Sequence, residues 1–122
     1  MKLSRQVVGR LGERLAEKHL VDQGARLLER NYRKDWGEID LLFDHGGELV
    51  AVEVKTRDVE DLEQPEEAVR QPQLRRIVRA MTAYAVDNGL WDRAWRIDVV
   101  LIVIERDGSV RRFEHLRSVY PG

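Results

Sequence analysis

Two strand-like segments of alternating polarity meet at Gly46-Gly47, and this hairpin pattern constrains the fold more than any other part of the chain. Adjacent glycines can adopt the positive φ angles of a two-residue hairpin turn, which fixes the register of the strands. The register that places His45 opposite Glu48 predicts two further cross-strand pairs, Asp40 with Glu53 and Glu38 with Lys55.

Side chains alternate between the two faces of a strand, so this register divides the hairpin into an apolar face and a charged face. The apolar face is predicted to contain Ile39, Leu41, Phe43, Val50, Val52 and Val54. The charged face is predicted to contain Glu38, Asp40, Glu53 and Lys55. Crowded carboxylates do not both ionise cheaply without a positive partner, so the pattern indicates a divalent cation between them.

The residue types on the charged face suit a hard metal ion. Asp40, Glu53 and the backbone carbonyl of Val54 offer oxygen ligands of the kind preferred by Mg²⁺ or Mn²⁺. Lys55 could orient or deprotonate an attacking water and stabilise charge on a phosphoryl group. The alternative is a solvated sheet face with a Glu38–Lys55 ion pair, which is the commoner arrangement for an isolated hairpin.

Composition describes one ordinary globular domain spanning residues 1–122, with 43% hydrophobic and 35% charged residues. The chain has no cysteine, no apolar run of membrane-spanning length and no signal peptide, so we expect a cytoplasmic protein without a membrane partner. The 21 basic and 22 acidic residues give a net charge of −1, which excludes a global basic field. Any nucleic acid must therefore be bound by local patches.

Hydrophobic periodicity and turn residues predict an α/β domain with element order αβββαββ and a mixed sheet flanked by helices. Helices are predicted over residues 4–22 and 67–88, and strands over 25–33, both arms of the hairpin, 95–104 and 110–119. The strand over 95–104 should be covered on both faces, and the last strand should lie at an edge. A polar loop around Pro65 precedes the second helix. The predicted buried stripes are Val8, Leu11, Leu15 and His19 in the first helix, and Leu74, Ile77, Val78, Met81 and Tyr84 in the second.

Asp40 followed by Glu53-Val54-Lys55 resembles the metal-binding signature of the PD-(D/E)xK nuclease superfamily. Four segments, "GRLGERLAEKHL", "GEIDLL", "VEVKTR" and "RIDVV", occur in order and resemble the YraN-like family of small bacterial proteins, whose fold is similar to that of Holliday-junction resolvases. The resemblance covers nearly the whole chain. It implies a restriction endonuclease-like fold and Mg²⁺-dependent or Mn²⁺-dependent hydrolysis of branched or structured DNA. It also implies a homodimer, because resolvases act on two symmetrically placed strands.

The resemblance further implies that Glu13, on the first helix, completes the metal site. Helical periodicity alone makes Glu13 an exposed charge pointing away from the apolar stripe. However, Gly9, Gly12 and Ala16 surround it, and small residues let a helix approach another backbone closely.

The family commonly has a lysine at the start of the second helix, where this chain has Gln73. Arginines near that position could replace the missing phosphate contact, with a solvated helix face as the equally good alternative. The candidate nucleic-acid-binding residues are Gln73, Arg70, Arg75, Arg76 and Arg57. Asp98, in the "RIDVV" segment, is interpreted as a structural residue at a strand end or turn.

Other kinds of site lack support in the sequence. His19, His45 and His115 have no ligand spacing, and no P-loop, dinucleotide-binding or nucleophile-elbow motif is present. Trp36 could stack on a base or sugar, whereas Trp91 and Trp95 are expected in a core or interface. Three hypotheses remain open: a metal-dependent DNA endonuclease, a nucleic-acid-binding module with little or no cleavage activity, and a non-catalytic protein that binds a basic partner.

Overall fold

A computed structural model describes residues 3–59 and 71–121. Its elements, in chain order, are α1 (Arg5–Asp22), β1 (Arg26–Lys34), β2 (Gly37–His45), β3 (Glu48–Asp58), α2 (Gln71–Asp87), β4 (Trp95–Ile104) and β5 (Val110–Pro121). This order confirms the predicted αβββαββ arrangement and the mixed α/β fold. Most of the predicted polar loop around Pro65, the predicted helical residues 67–70 and the candidate residue Arg70 lie outside the described residues.

The five strands form one sheet in the order β1-β2-β3-β4-β5. Neighbouring strands are antiparallel except β3 and β4, which are parallel. A parallel pair needs a long crossover connection, and α2 lies within that connection. Nearly all of β4 is buried and β5 is an edge strand, as the sequence predicts.

The Gly46-Gly47 turn has the predicted geometry. Both glycines have positive φ, 62° and 89°, and the carboxylate of Asp44 accepts a hydrogen bond of 2.9 Å from the backbone N–H of Gly47. His45 pairs with Glu48, so the predicted register of the hairpin is confirmed next to the turn.

The prediction of the apolar face of the hairpin is wrong for one residue, Ile39. Leu41 and Phe43 pack in the cluster beneath α1, whereas Ile39 packs with Leu42 in the cluster beneath α2. The alternation of β2 is therefore interrupted at Asp40, between Ile39 and Leu41. Because both sheet faces carry a helix, neither face of the hairpin is the solvated charged surface that the alternative interpretation requires.

Helix α1 begins after Ser4, whose hydroxyl accepts a hydrogen bond of 3.2 Å from the backbone N–H of Val7. The buried stripe differs from the prediction, since it contains Val8, Gly12, Ala16 and Leu20. Leu11 and Leu15 are only partly buried, and His19 is half-buried. The small side chains of the stripe let the α1 backbone approach the sheet, and the larger leucines flank this line of contact.

The prediction that small residues let α1 approach the sheet closely is confirmed at Gly12 and wrong at Gly9. A Cβ atom at Gly12 would lie 1.9 Å from the Thr56 hydroxyl oxygen on β3, whereas one at Gly9 would have no heavy atom within 4 Å. Only Gly12 is therefore required by packing against the strand that carries Glu53 and Lys55.

Helix α2 covers the other face with the predicted residues Leu74, Ile77 and Met81, which are buried together with Ala80. A Cβ atom at Gly37 would lie 2.4 Å from the backbone carbonyl oxygen of Arg76, so the start of β2 is packed directly on the α2 backbone.

Trp91 and Trp95, both expected in a core or interface, differ in their surroundings. Trp91 is 75% exposed, so a place in the core is wrong for this residue, whereas Trp95 is partly buried and its ring stacks on Tyr120 at a centroid distance of 6.0 Å.

In the described part of the chain, neither helix is long and apolar enough to cross a membrane.

Candidate functional site

A cleft of about 690 Å³ opens where β2 and β3 stop pairing, at the end of the hairpin remote from Gly46-Gly47. Residues of α1, of both strands and of the first turn of α2 line it. Among its lining residues are Glu13, Glu38, Asp40, Glu53, Lys55 and Gln73. The fold thus brings together residues that are up to 60 positions apart in the sequence.

Asp40 lies at the interruption in β2 and marks the end of the β2–β3 ladder. The paired residues extend from His45 and Glu48 to Leu41 and Val52. One step further, the Asp40 carboxylate accepts a hydrogen bond of 2.8 Å from the backbone N–H of Val54. The side chain of Asp40 therefore satisfies a backbone donor beside the point where the ladder ends.

Glu53 is the most unusual acid of the cleft because it is only 6% exposed. Burial raises its pKa to about 9, and a hydrogen bond to Asp40 together with the Asp40 charge contributes to the same rise. The ammonium of Lys55 lies 3.7 Å from a Glu53 carboxylate oxygen and partly offsets this effect. At neutral pH the buried carboxyl of Glu53 is therefore protonated and hydrogen-bonded to Asp40.

Glu13 reaches the same cleft from α1. Burial raises the pKa of Glu13, and the negative charge of Asp40 raises it further, whereas a hydrogen bond with Asn31 lowers it. The Asp40 charge acts on Glu13 because α1 approaches the sheet one residue earlier, at Gly12. The exposed helix charge expected from periodicity alone is wrong, since Glu13 is half-buried at the cleft.

Glu38 has different partners from those of a simple cross-strand pair. One of its carboxylate oxygens lies 3.3 Å from the Arg76 guanidinium and 3.7 Å from that of Arg33. Glu38 therefore links β1 and β2 to α2 at the rim, and Lys55 is directed to Glu53.

The acids of the cleft fit a hard divalent cation with few protein ligands. Among residues 3–59 and 71–121, no three His, Asp or Glu side chains form a ready-made metal cluster. Mg²⁺ typically keeps several waters and needs only one or two protein carboxylates, which Asp40 and Glu53 provide. The donor set is oxygen only, and the proximity of Asp40 raises the pKa of Glu53, an effect that a cation between the two carboxylates would oppose.

The candidate nucleic-acid-binding residues divide into three groups. Gln73 and Arg57 line the cleft. Arg76 is at its rim through Glu38, and Arg75 is exposed on α2. Arg70 lies outside the described residues.

The chain matches a known family over most of its length. Residues 12–102 match the uncharacterised protein family UPF0102. A UPF0102 protein of Nocardioides sp. is 44% identical over 115 residues, which are 94% of this chain and 92% of the relative. The chain belongs to UPF0102, the YraN-like family. A second family member, from Moorella thermoacetica, is 36% identical over 120 residues, 98% of this chain and 100% of the relative. A third, from Anaeromyxobacter dehalogenans, is 41% identical over 118 residues, 97% of this chain and 87% of the relative.

Family membership confirms the resemblance found in the four sequence segments. The matched region includes Glu13, Asp40, Glu53, Lys55 and Gln73, so the charged residues proposed for the site and Gln73 lie within the part of the chain that matches the family. UPF0102 is described as uncharacterised, so membership of this family does not indicate which reaction the chain catalyses.

Sequence reasoning missed a buried polar network near the start of β4. Asp98 is fully buried and accepts hydrogen bonds from Arg96 at 3.0 Å, from the backbone N–H of Ser118 at 3.0 Å and from His115 at 2.8 Å. The structural interpretation of Asp98 is confirmed, because these bonds attach β5 to β4. His115 in turn lies 3.1 Å from His19 of α1, a pair separated by 96 positions that no local spacing could reveal.

Proposed function

We propose that this chain is a Mg²⁺-dependent or Mn²⁺-dependent DNA endonuclease that hydrolyses phosphodiester bonds in branched or structured DNA. The observation that carries the proposal is the buried carboxyl of Glu53, which is hydrogen-bonded to the half-buried Asp40 and lies 3.7 Å from the ammonium of Lys55. A buried acid with a strongly raised pKa and a specific charged partner in a cleft is a candidate functional residue.

The proposed metal ligands are the carboxylates of Asp40 and Glu53 and the carbonyl of Val54, with Glu13 completing the site. When bound, the cation would polarise the phosphate and lower the pKa of a coordinated water. Glu53 must release its proton to become a ligand, so metal binding and proton release are coupled.

Lys55 is the proposed catalytic residue that acts on the water and the phosphate. Its side chain is 15% exposed and lies on the same strand face as Glu53, two residues along β3. From there its ammonium can orient or help deprotonate the attacking water and stabilise charge on the phosphoryl oxygens. Because that charge is greatest in the transition state, Lys55 should contribute more to the rate than to binding.

Phosphate contacts beyond the scissile bond are proposed for Gln73, Arg57, Arg75 and Arg76. Gln73 is neutral where the family commonly has a lysine, so electrostatic contact with the backbone from this position is weaker in this chain. We also propose that the active form is a homodimer, since a single domain of net charge −1 has little basic surface with which to hold a branched substrate.

The proposal is tested with a panel of duplex, flap and four-way DNA substrates in Mn²⁺. Lys55→Ala should abolish cleavage of the four-way substrate while leaving its gel-shift affinity within about threefold, because a transition-state contact need not affect ground-state binding. Lys18→Ala is the matched control, because Lys18 is 74% exposed in a surface pair with Asp22. Sedimentation of the wild type at micromolar concentration tests the dimer.

The neutral Gln73 and the lack of a ready-made metal cluster in the described residues favour a second candidate, a nucleic-acid-binding module with little or no cleavage activity. Salt-dependent DNA binding without metal-dependent cleavage would support that candidate. Cleavage that survives Lys55→Ala would refute the proposed chemistry, and the absence of DNA binding would exclude both candidates.

A further inference from the structure

An exposed tryptophan occupies a turn where a glycine would fit better. Trp36 is 90% exposed, more than any other large hydrophobic residue in the described part of the chain. It lies in the two-residue turn between Lys34 and Gly37, the last pair of the β1–β2 hairpin. The φ angles of Asp35 and Trp36 are 53° and 64°, a conformation that favours Asn and Gly over bulky side chains. Turn stability therefore does not explain a large aromatic residue at this position.

The turn that carries Trp36 lies at the rim of the cleft. Gly37 packs against the α2 backbone at Arg76 and Ala80, and Glu38 lines the cleft. At about 3.4 Å per residue, Trp36 lies about 14 Å along β2 from Asp40. The packing of Gly37 anchors the backbone next to Trp36, so the ring is attached at a set distance along the chain from Asp40.

Cationic side chains flank the same turn. Arg33 and Arg76 both contact Glu38, and their side chains are 75% and 55% exposed. Lys34 pairs with Asp87 at the end of α2 and is 47% exposed. An aromatic face between cations is the arrangement by which proteins bind single-stranded nucleic acid, with a base stacked on the ring and phosphates near the charges.

We infer that Trp36 stacks on an unpaired base, and that the substrate class of the cleft is DNA in which a duplex meets a single strand, such as a fork or a flap. A base inside a duplex is already stacked on both sides, so only an unpaired base offers a free face to the ring. The inference rests on the proposed function for the position of the scissile bond. Since duplex DNA advances about 3.4 Å per step, cleavage is expected within about four base-pair steps of the junction.

The test compares the affinity of each variant for a forked duplex and for a fully paired duplex of the same sequence, by fluorescence anisotropy without divalent metal. Wild-type protein should prefer the fork, and Trp36→Gly should weaken fork binding by about fivefold to one-hundredfold, the range expected for losing one stacked base. Glycine suits the positive φ of the turn, so this variant should fold at least as well as the wild type. Trp36→Phe should retain part of the preference. Trp91→Ala, at another exposed tryptophan, is the matched control and should retain all of it.

The outcomes separate this inference from the proposed function. If Trp36→Gly keeps the full fork preference, or the wild type shows none, stacking at Trp36 is refuted even where Lys55-dependent cleavage is observed. If fork preference depends on Trp36 but no metal supports cleavage, stacking stands and the nuclease proposal fails. If the wild type binds neither DNA, both fail. Mapping of the cut sites in Mn²⁺ then tests the expected distance from the junction.

Discussion

Replacing Glu53 with glutamine should stabilise the metal-free protein at neutral pH. The pKa of Glu53 is raised from 4.5 to about 9, so the folded protein holds a proton that the unfolded chain releases. At pH 7, about 2.5 units above the ordinary value, taking up this proton costs on the order of 3 kcal/mol at about 1.4 kcal/mol per unit. Glutamine avoids this cost, and its amide can donate to Asp40 in place of the carboxyl proton.

The sign of the pH dependence follows from the same shift. Between about pH 4.5 and pH 9 the folded state binds more protons at Glu53 than the unfolded state, so wild-type stability falls as pH rises through this window. The advantage of Glu53→Gln should therefore be small near pH 5, about 3 kcal/mol at pH 7 and larger still at pH 9. Charges remote from Glu53 contribute equally to both variants and cancel in the comparison.

Denaturant unfolding in EDTA at pH 5, 7 and 9 measures this difference. Glu105→Gln is the control, since its carboxyl is 39% exposed and its removal should change stability little at any pH. Addition of Mn²⁺ should reverse the order of stability, because only the wild type has both carboxylate ligands. A Glu53→Gln protein that is no more stable than the wild type at pH 7, or an advantage that does not grow with pH, would falsify the raised pKa of Glu53.

Three further predictions concern the cleft and its support. Asp40→Asn should leave the metal-free fold intact, because the amide oxygen can still accept a hydrogen bond from the Val54 N–H. The variant should lose the rise in melting temperature that Mn²⁺ gives the wild type. A large loss of metal-free stability would show instead that Asp40 is a structural residue. Gln73→Lys should tighten DNA binding and steepen its salt dependence by about one phosphate contact, and an unchanged salt slope would show that α2 does not face the DNA. Gly12→Ala should destabilise the protein by about 1–3 kcal/mol in denaturant unfolding because its Cβ would overlap Thr56, whereas Gly9→Ala should stabilise it by up to about 1 kcal/mol; equal effects would contradict the close contact between α1 and β3.

The sequence predicted the order of elements and the hairpin register because both depend on local signals. Gly46-Gly47 determines a turn type on its own, and the apolar run of β4 has no alternative to burial on both faces. The prediction placed the buried stripe of α1 one position too early, at Leu11 and Leu15, because the helical pattern was read from the most hydrophobic side chains. The sheet instead selects Gly12 and Ala16 for their small size, and only the position of Thr56 on a distant strand decides this.

The charged members of the site could be named from the sequence, but their environment could not. Ideal alternation placed Asp40 and Glu53 on one charged face and predicted their crowding, but it could not show how deeply either carboxyl is buried. In the folded chain Glu53 is buried and lines a small space together with Gln73 and Ile77 of α2. The proximity of a helix more than 15 residues away in sequence is not visible in the hairpin pattern. The raised pKa of Glu53 therefore comes from tertiary structure, as does the approach of Glu13.

The position of the cleft follows from the place where regular pairing of β2 and β3 ends. An aspartate inside a fully paired strand would have to lie beneath α1 or α2, where a carboxylate is costly without partners. At the interruption, one oxygen of Asp40 instead accepts the Val54 N–H, and the hydrogen bond to Glu53 adds a second donor. The helices can then approach from both faces, α1 with Glu13 and α2 with Gln73, because the strand end leaves space between them. The same break that interrupts the alternation of Ile39 and Leu41 thus assembles acids from three elements at one opening of the sheet.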